Sequence, residues 1–214
     1  MKGIVIALCL FCLCGMLNAQ SKFPKDGKHV YSYANGQDSV ICFYKNGRPV
    51  GQRTEYYPNG QLHLTFTYKT GHIQSLKQYY ENGALKREEV LNGHSTTTGH
   101  LYDIDGKELD FIPYMQLPQF PGGNAELMKL IAQYTKYPPQ AVKEKKQGLV
   151  IIKCSIDKEG NPKNAEIVKS VSPELDKEAM RVVGFLTMTY KFTPGKIEGQ
   201  PVNMNFSIPV NFRL

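Results

Sequence analysis

The sequence predicts an α+β chain, in which an N-terminal all-β hairpin-repeat meander is followed by a small domain of sheet and helices. A glycine turn recurs every 10 to 13 residues between Tyr31 and Leu109, which is typical of a hairpin array. Helical periodicity appears only after Gly123. From Val202 to Leu214 apolar and polar residues alternate strictly, the pattern of a strand with one buried face.

Residues 1–19 have the features of a signal peptide. Lys2 is a basic start, Ile4–Cys14 is an apolar run, and Leu17-Asn18-Ala19 is a cleavage site before Gln20. The apolar run is short for a membrane span, which needs roughly twenty residues. We therefore expect a periplasmic or cell-envelope protein after export, with inner-membrane association as the alternative if the segment is retained.

Cleavage would leave two cysteines, Cys42 and Cys154. Cys154 alternates with Ile152 and Ile156, which predicts a small core side chain, while a Cys42–Cys154 disulfide stays open as an alternative. Loss of Lys2 lowers the formal charge from +7 to +6. This modest excess suits acidic envelope polymers, lipids or a solvated surface, and without nucleic-acid motifs we expect no nucleic acid partner.

The repeat region is predicted over residues 22–112. Its turns are Asn35-Gly36, Asn46-Gly47, Asn59-Gly60, Thr70-Gly71, Asn82-Gly83, Asn92-Gly93 and Asp105-Gly106. Such pairs suit two-residue hairpin turns, because both positions can take positive φ. Two strands per repeat predict roughly a dozen strands spaced about 4.8 Å apart. Ser95-Thr96-Thr97-Thr98 shows no clear strand pattern.

Tyrosine precedes several of these turns, as in Tyr56-Tyr57-Pro58-Asn59-Gly60 and Tyr79-Tyr80-Glu81-Asn82-Gly83. The units resemble MORN-type repeats, whose tyrosine–x–Asn–Gly hairpins stack into a long sheet. The resemblance implies a spacing role, or contacts with proteins or lipids, and no particular chemistry.

A second domain is predicted over residues 113–214, because Pro118, Pro121 and Gly122-Gly123 interrupt both periodicities. Asn124 is the predicted cap of a first helix, which ends before Tyr137-Pro138-Pro139, and a second helix is predicted from Pro139 to Lys146. The candidate buried positions of the first helix are Leu127, Met128, Ile131 and Tyr134.

A hairpin is predicted next, with strands at Gly148–Asp157 and Lys163–Val171. Ser172 is a good N-cap and Pro173 suits the first helical position. The residues that follow at helical spacing are Leu175, Ala179, Val182, Val183 and Leu186. A Gly195/Gly199 turn then leads into the last strand.

The last strand, Val202–Leu214, contains Pro209. Proline has no N–H for a ladder, so a long strand accepts it only at an edge or a bulge. An edge strand with one anchored face can accept a foreign strand. An ordinary edge with no partner is the alternative.

The order of motifs across this domain resembles the C-terminal domain of TonB-family energy transducers. The motifs are Tyr137-Pro138, Leu175-Asp176-Lys177-Glu178-Ala179, Phe192-x-Pro194-Gly195 and Pro201-Val202 through Leu214, and Gln119-Phe120-Pro121-Gly122-Gly123 resembles the Bacteroidota branch. The resemblance implies a three-stranded antiparallel sheet with helices on one side. It also implies capture of the TonB-box segment of outer-membrane transporters by strand addition beside the last strand.

The partner-binding residues that this resemblance implies are Tyr137, Pro138, Val202, Asn203, Asn205, Ser207, Pro209 and Asn211. Three features depart from the family pattern. Lys136 stands where a glutamine often precedes the Tyr-Pro pair. No histidine, acidic or basic residue lies between Ile4 and Ala19, and the repeat region replaces a proline-rich spacer.

The sequence offers no catalytic constellation, cofactor motif or metal motif. His94 and His100 lack zinc spacing, and Asp103–Glu108 lacks the later glutamate of a calcium loop. Gly122-Gly123 has no further glycines or Lys-Ser/Thr to form a nucleotide loop. We therefore expect a non-enzymatic protein, since an enzyme would need a polar cleft at the domain junction.

The leading hypothesis is a TonB-like envelope protein that binds an extended segment of an outer-membrane transporter, or a related envelope partner, and supports energy-dependent transport. The alternative is an exported adaptor or scaffold that binds through the MORN-like sheet and transduces no energy.

Overall fold

The computed structural model describes residues 24–92 and 95–214. The predicted signal peptide and its cleavage site lie outside the described residues, as do Gly93 and His94. The chain divides into two compact units, Met1–Phe111 (unit 1) and Ile112–Leu214 (unit 2). Unit 1 is an antiparallel meander and unit 2 combines sheets with helices, so the predicted fold class is confirmed.

Unit 1 is one antiparallel sheet with nine described strands, in the order β1-β2-β4-β5-β6-β7-β8-β9 with β3 paired to β2. The strands are β1 (Gly27–Ser32), β2 (Asp38–Lys45), β3 (Arg48–Pro49), β4 (Gly51–Tyr56), β5 (Leu62–Lys69), β6 (His72–Tyr79), β7 (Leu85–Asn92), β8 (Ser95–Tyr102) and β9 (Glu108–Leu109). The expectation of a dozen strands was too high. The Ser95–Thr98 stretch is part of strand β8, in keeping with the high β propensity of threonine, although its pairing with β7 shifts register between Thr96 and Thr98.

The turns of unit 1 are of two kinds. Asn46-Gly47 is a two-residue turn with φ of 51° and 69°, as predicted. At Asn59-Gly60 only the glycine has positive φ, 85°, and the Tyr57 N–H donates to the Gln61 carbonyl across three residues. Asn59 Oδ1 accepts from the Gln61 N–H at 2.9 Å, so the asparagine stabilises this longer turn through its side chain.

Tyrosine hydroxyls connect successive turns of unit 1. Tyr33 Oη donates to the Tyr56 carbonyl at 2.6 Å, and Tyr57 Oη donates to the Tyr79 carbonyl at 2.9 Å. Tyr80 Oη repeats the contact on the carbonyl of Tyr102 at 2.8 Å. The tyrosine that precedes each of these turns therefore ties one repeat to the next.

Unit 2 contains two three-stranded sheets, in the orders β12-β11-β15 and β10-β13-β14. Its elements are β10 (Met115–Gln116), α1 (Gly123–Tyr134), α2 (Pro139–Lys143), β11 (Gly148–Ile156), β12 (Pro162–Lys169), α3 (Pro173–Thr189), β13 (Gly195–Ile197), β14 (Gln200–Val202) and β15 (Met204–Phe212).

The core of unit 2 lies between the helices and one face of the β12-β11-β15 sheet. Helix α3 buries all five of its predicted positions, and Ser172 Oγ accepts from the Leu175 N–H as the predicted N-cap. Alternate residues of β11 and β15 complete this core, namely Val150, Ile152, Cys154, Ile156, Ile208, Val210 and Phe212. Cys154 is thus a core residue, and the buried Cys42 and Cys154 form no disulfide with each other.

Several expectations for unit 2 were wrong in detail. The last strand does not run unbroken from Val202, because Val202 ends β14 and Asn203 separates it from β15. Helix α1 begins at Gly123 with Gly122 as its N-cap, so Asn124 lies inside the first turn. Met128 and Tyr134 are more than one-third exposed, and Leu130 is buried instead.

Candidate partner-binding edge

Strand β15 forms one edge of its sheet. Its nine residues pair in unbroken antiparallel register with β11, from Ile156–Met204 to Gly148–Phe212. Within residues 24–92 and 95–214, β11 is the only strand that pairs with β15. Pro209 therefore lies on an edge strand, as the sequence predicted.

Pro209 fixes which residues of β15 face the open side. Hydrogen-bonded and non-hydrogen-bonded pairs alternate in an antiparallel ladder. Ile208, Pro209 and Val210 all lie in the ladder, and Pro209 has no N–H to donate. The backbone hydrogen bonds to β11 are therefore made by the even-numbered residues of β15. The backbone groups of Ser207, Pro209 and Asn211 consequently point away from β11, towards the edge.

The two edges of this sheet differ in how well they suit strand addition. Strand β12, the other edge, carries Lys163, Glu166 and Lys169, and its pairing with β11 contains two register shifts. Strand β15 has neither a charged side chain nor a register shift. Charges and bulges hinder pairing at edges, so β15 is the less protected of the two edges.

Tyr137 lies near the end of β15. Its ring meets the Phe212 ring edge to face, with the centroids 5.6 Å apart. Its hydroxyl donates to the Lys146 carbonyl at 2.5 Å. Pro138 follows as the N-cap residue of α2. The Tyr-Pro pair is thereby fixed beside the last strand.

Two residues of α3 hold the segment that joins α1 to α2. Glu178 Oε1 accepts from the Lys136 N–H at 2.6 Å, and Arg181 Nη2 donates to the Tyr134 carbonyl at 2.7 Å. Arg181 also bonds Glu178, at 2.7 and 2.8 Å. The bonds from Arg181 and then from the Lys136 N–H lower the pKa of Glu178. The residue before Tyr137 is therefore anchored by a carboxylate that stays ionised.

A groove of about 420 Å³ runs between α1 and the C-terminal end of β15. Helix α1 and the segment after it line one side, and β15 with Arg213 lines the other. The lining residues are Met128, Ile131, Ala132, Thr135, Tyr137, Pro209, Asn211, Phe212 and Arg213.

The predicted site residues separate into two groups. Tyr137, Pro209 and Asn211 line the groove, Pro138 adjoins it in sequence, and Asn205 and Ser207 occupy edge-facing positions of β15. Two others lie away from this edge: Val202 is buried and pairs with Gly195, and Asn203 Oδ1 accepts from the Lys158 N–H. Period-two alternation runs through β14 and β15 alike, so it hides the break between them.

Sequence reasoning missed the contribution of α1 to this site. The helical spacing predicts Met128 and Ile131 as core positions and makes no prediction for Ala132 or Thr135, yet all four line the groove. The sequence signal that could have indicated this contribution is the width of the apolar stripe on α1. The stripe includes Met128 and is therefore wider than the face that the core buries.

Titratable groups show no arrangement for metal binding. In the described part of the chain, no three His, Cys, Asp or Glu side chains cluster as metal ligands would. Burial raises the pKa of the Cys154 thiol to about 11, so it is protonated at neutral pH.

None of the described helices is both long and apolar enough to span a membrane.

Comparison with known proteins supports both resemblances. Residues 133–214 match the family described as Gram-negative bacterial TonB protein C-terminal. Residues 49–70 and 75–91 match the MORN repeat variant. Both predicted resemblances are confirmed.

Two curated relatives are named "Protein TonB", from Xanthomonas campestris pv. campestris strains B100 and ATCC 33913. Each is 35% identical over 80 residues, which cover 37% of this chain and 34% of the relative. The chain thus spans about a third of the length of these relatives.

A solved structure with local similarity is the Helicobacter pylori TonB C-terminal domain in solution, at 16% identity and a TM-score of 0.33. That match covers 42% of this chain and 90% of the solved one. By these sequence matches, residues 133–214 are similar to TonB C-terminal domains, and residues 49–91 before them are similar to MORN repeat variants.

Proposed function

We propose that this protein binds an extended segment of an outer-membrane transporter, or of a related envelope partner, by strand addition along β15. The backbone of Ser207, Pro209 and Asn211 supplies the hydrogen bonds, and Tyr137 borders the docked strand. In this role the protein supports energy-dependent transport as a non-enzymatic, TonB-like component of the periplasm.

The observation that carries this proposal is the contrast between the two sheet edges. Strand β15 is regular and uncharged over nine residues, whereas β12 is interrupted and charged. Proteins normally protect long regular edges, because such edges pair with other chains. An unprotected edge in a region similar to TonB C-terminal domains favours a binding role.

The test compares two substitutions at Ser207 in the full chain. Ser207→Pro removes an edge-facing N–H, while Ser207→Ala removes only the side chain. Loss of one backbone hydrogen bond should weaken binding of TonB-box peptides by about tenfold, and the alanine variant should bind like the parent. Fluorescence anisotropy measures the affinity, and circular dichroism verifies the fold.

Asn211→Pro, with Asn211→Ala as its control, repeats the test two residues along the strand. Equal peptide affinity in the folded proline and alanine variants at both positions would refute strand addition along β15.

The role in energy transduction depends on the N-terminal segment, residues 1–19. Retention of this segment in the inner membrane would let the chain transmit force by itself, whereas a mature protein that starts at Gln20 would need an anchored partner. N-terminal sequencing of the protein from separated membrane and periplasmic fractions distinguishes the two.

A second candidate function is an exported adaptor that binds through unit 1. The match of residues 49–91 to MORN-variant repeats favours it. In that case the Ser207 and Asn211 variants would retain every envelope partner, and deletion of the repeats would remove them.

A further inference from the structure

We propose, building on strand addition at β15, that the groove between α1 and β15 binds one large apolar side chain of the docked strand. An acidic residue of the same strand lies beside Arg213. The groove thus selects among extended segments that the backbone of β15 would otherwise accept alike.

The walls of the groove suit an apolar guest. Ile131 and Phe212 are buried, and Met128 and Ala132 contribute only apolar atoms of their side chains. The hydroxyls that line it are already engaged: Thr135 Oγ1 donates to the Ile131 carbonyl at 2.6 Å, and Tyr137 Oη donates to that of Lys146. The volume of about 420 Å³ lies in the range of ligand pockets, about 300–1,000 Å³.

The ladder determines which residue of the guest strand enters the groove. Directly opposite residues of paired strands place their side chains on the same face of the sheet. Val210 and Phe212 point into the core that the helices cover. A guest residue opposite either of them therefore points towards the helices, where the groove lies, and its neighbours point to the solvent.

The charge of Arg213, at the end of the groove, adds a second requirement for the sequence of the guest strand. Arg213 lines the groove and is exposed. Arg213 makes no ion pair with any residue in the described part of unit 2. A cation in this position attracts a carboxylate, so an acidic residue in the guest strand complements it.

The groove depends on residues outside the matched region. The family match begins at residue 133, whereas Met128, Ile131 and Ala132 precede it on α1. Three of the nine lining residues therefore come from the part of α1 that precedes the match to TonB C-terminal domains.

The probe is a synthetic library of nine-residue peptides, the length of β15, with each position drawn from Gly, Thr, Leu, Asp and Lys. Binding to the full chain should enrich peptides with one fixed leucine and a nearby aspartate. Replacement of that leucine by glycine should weaken binding about 10- to 100-fold. Arg213→Gln should remove the preference for aspartate.

Ala132→Phe fills the groove without changing the β15 backbone, and Gln133→Phe adds the same ring to the next, exposed residue of α1, which does not line the groove. The first variant should bind leucine and glycine peptides with similar affinity, and the second should keep the parent's preference. The Ser207→Pro variant should lose affinity for both peptides.

The outcomes separate the two proposals. If Ser207→Pro weakens peptide binding and Ala132→Phe leaves it unchanged, the proposal for the groove is wrong and the proposal of strand addition stands. Binding that does not respond to Ser207→Pro would overturn both. Sedimentation in which Ala132→Phe alters self-association, with no change in peptide preference, would assign the groove to a second copy and overturn the proposal.

Discussion

At the scale of single residues, Pro209 does more than mark an edge. Its missing N–H faces the open side of β15, so a guest strand finds an acceptor but no donor at that position. Donors remain on either side, at Ser207 and Asn211. A guest strand added along β15 would therefore form one hydrogen bond fewer than it would on an edge strand without proline.

The tyrosine contacts of unit 1 give a residue-scale prediction. Tyr57→Phe removes the hydroxyl that donates to the Tyr79 carbonyl, which should lower the free energy of unfolding by about 0.5–1.5 kcal/mol. Tyr56→Phe is the matched control, because the hydroxyl of that neighbour makes no such bond to any turn that the structure describes. Urea unfolding followed by circular dichroism measures both variants, and equal losses would contradict the assigned role.

Glu178 gives a prediction with a defined pH dependence. Its pKa is lowered in the folded state from an ordinary value of about 4.5, chiefly by Arg181 and then by the Lys136 N–H. The resulting stabilisation is complete above the unfolded-state pKa and disappears as the pH falls through the lower folded-state pKa. Glu178→Gln should therefore destabilise the protein at pH 7 and have little effect in strong acid.

Urea titrations of this variant between neutral and acidic pH test the expectation. Glu126→Gln is the control, since the exposed Glu126–Lys129 pair at 3.2 Å contributes little at any pH. A destabilisation by Glu178→Gln that does not change with pH would show that packing, and not charge, is responsible.

At the scale of elements, α3 offers two positions with opposite surroundings. Leu186 is fully buried, and Met188, two residues later, is 90% exposed. Leu186→Ala should lower the free energy of unfolding by about 2–5 kcal/mol, and Met188→Ala should change it by less than about 0.5 kcal/mol. Similar losses in both variants, measured by chemical denaturation, would mean that α3 packs in another orientation.

Helix α3 also shows which structure could be predicted from the sequence. Its cap, its proline and its five buried positions all follow from local spacing, so the prediction was correct. The turn at Asn59-Gly60 was harder, because the sequence pair alone does not state whether two or three residues close the hairpin. The groove depends on how α1 packs beside β15, a tertiary arrangement that no local pattern contains.

The break at Asn203 illustrates the same limit. Val202 and Met204 continue the alternation, yet Val202 pairs with Gly195 in one sheet and Met204 pairs with Ile156 in the other. Alternation reports which face of a strand is buried and not which strand is its neighbour. The sheet order β12-β11-β15 was therefore available only through the family resemblance.

At the scale of the whole molecule, each unit has a buried core of its own. We propose that the two units unfold separately, as independent domains do. In scanning calorimetry of the full chain, Tyr57→Phe and Leu186→Ala should each shift a different transition. A single transition that both variants lower would show that the units unfold as one.

The contacts made by Tyr33, Tyr57 and Tyr80 reach forward by 22 or 23 residues each time. The acceptors Tyr56, Tyr79 and Tyr102 lie 23 residues apart. Insertion or deletion of a block of this length, or of a multiple of it, would give every remaining hydroxyl an equivalent acceptor, whereas a block of another size would leave one facing the wrong carbonyl. Unit 1 can therefore gain or lose whole repeats. Each repeat added or removed would change the distance that the array covers, while the contacts between the remaining repeats stay the same.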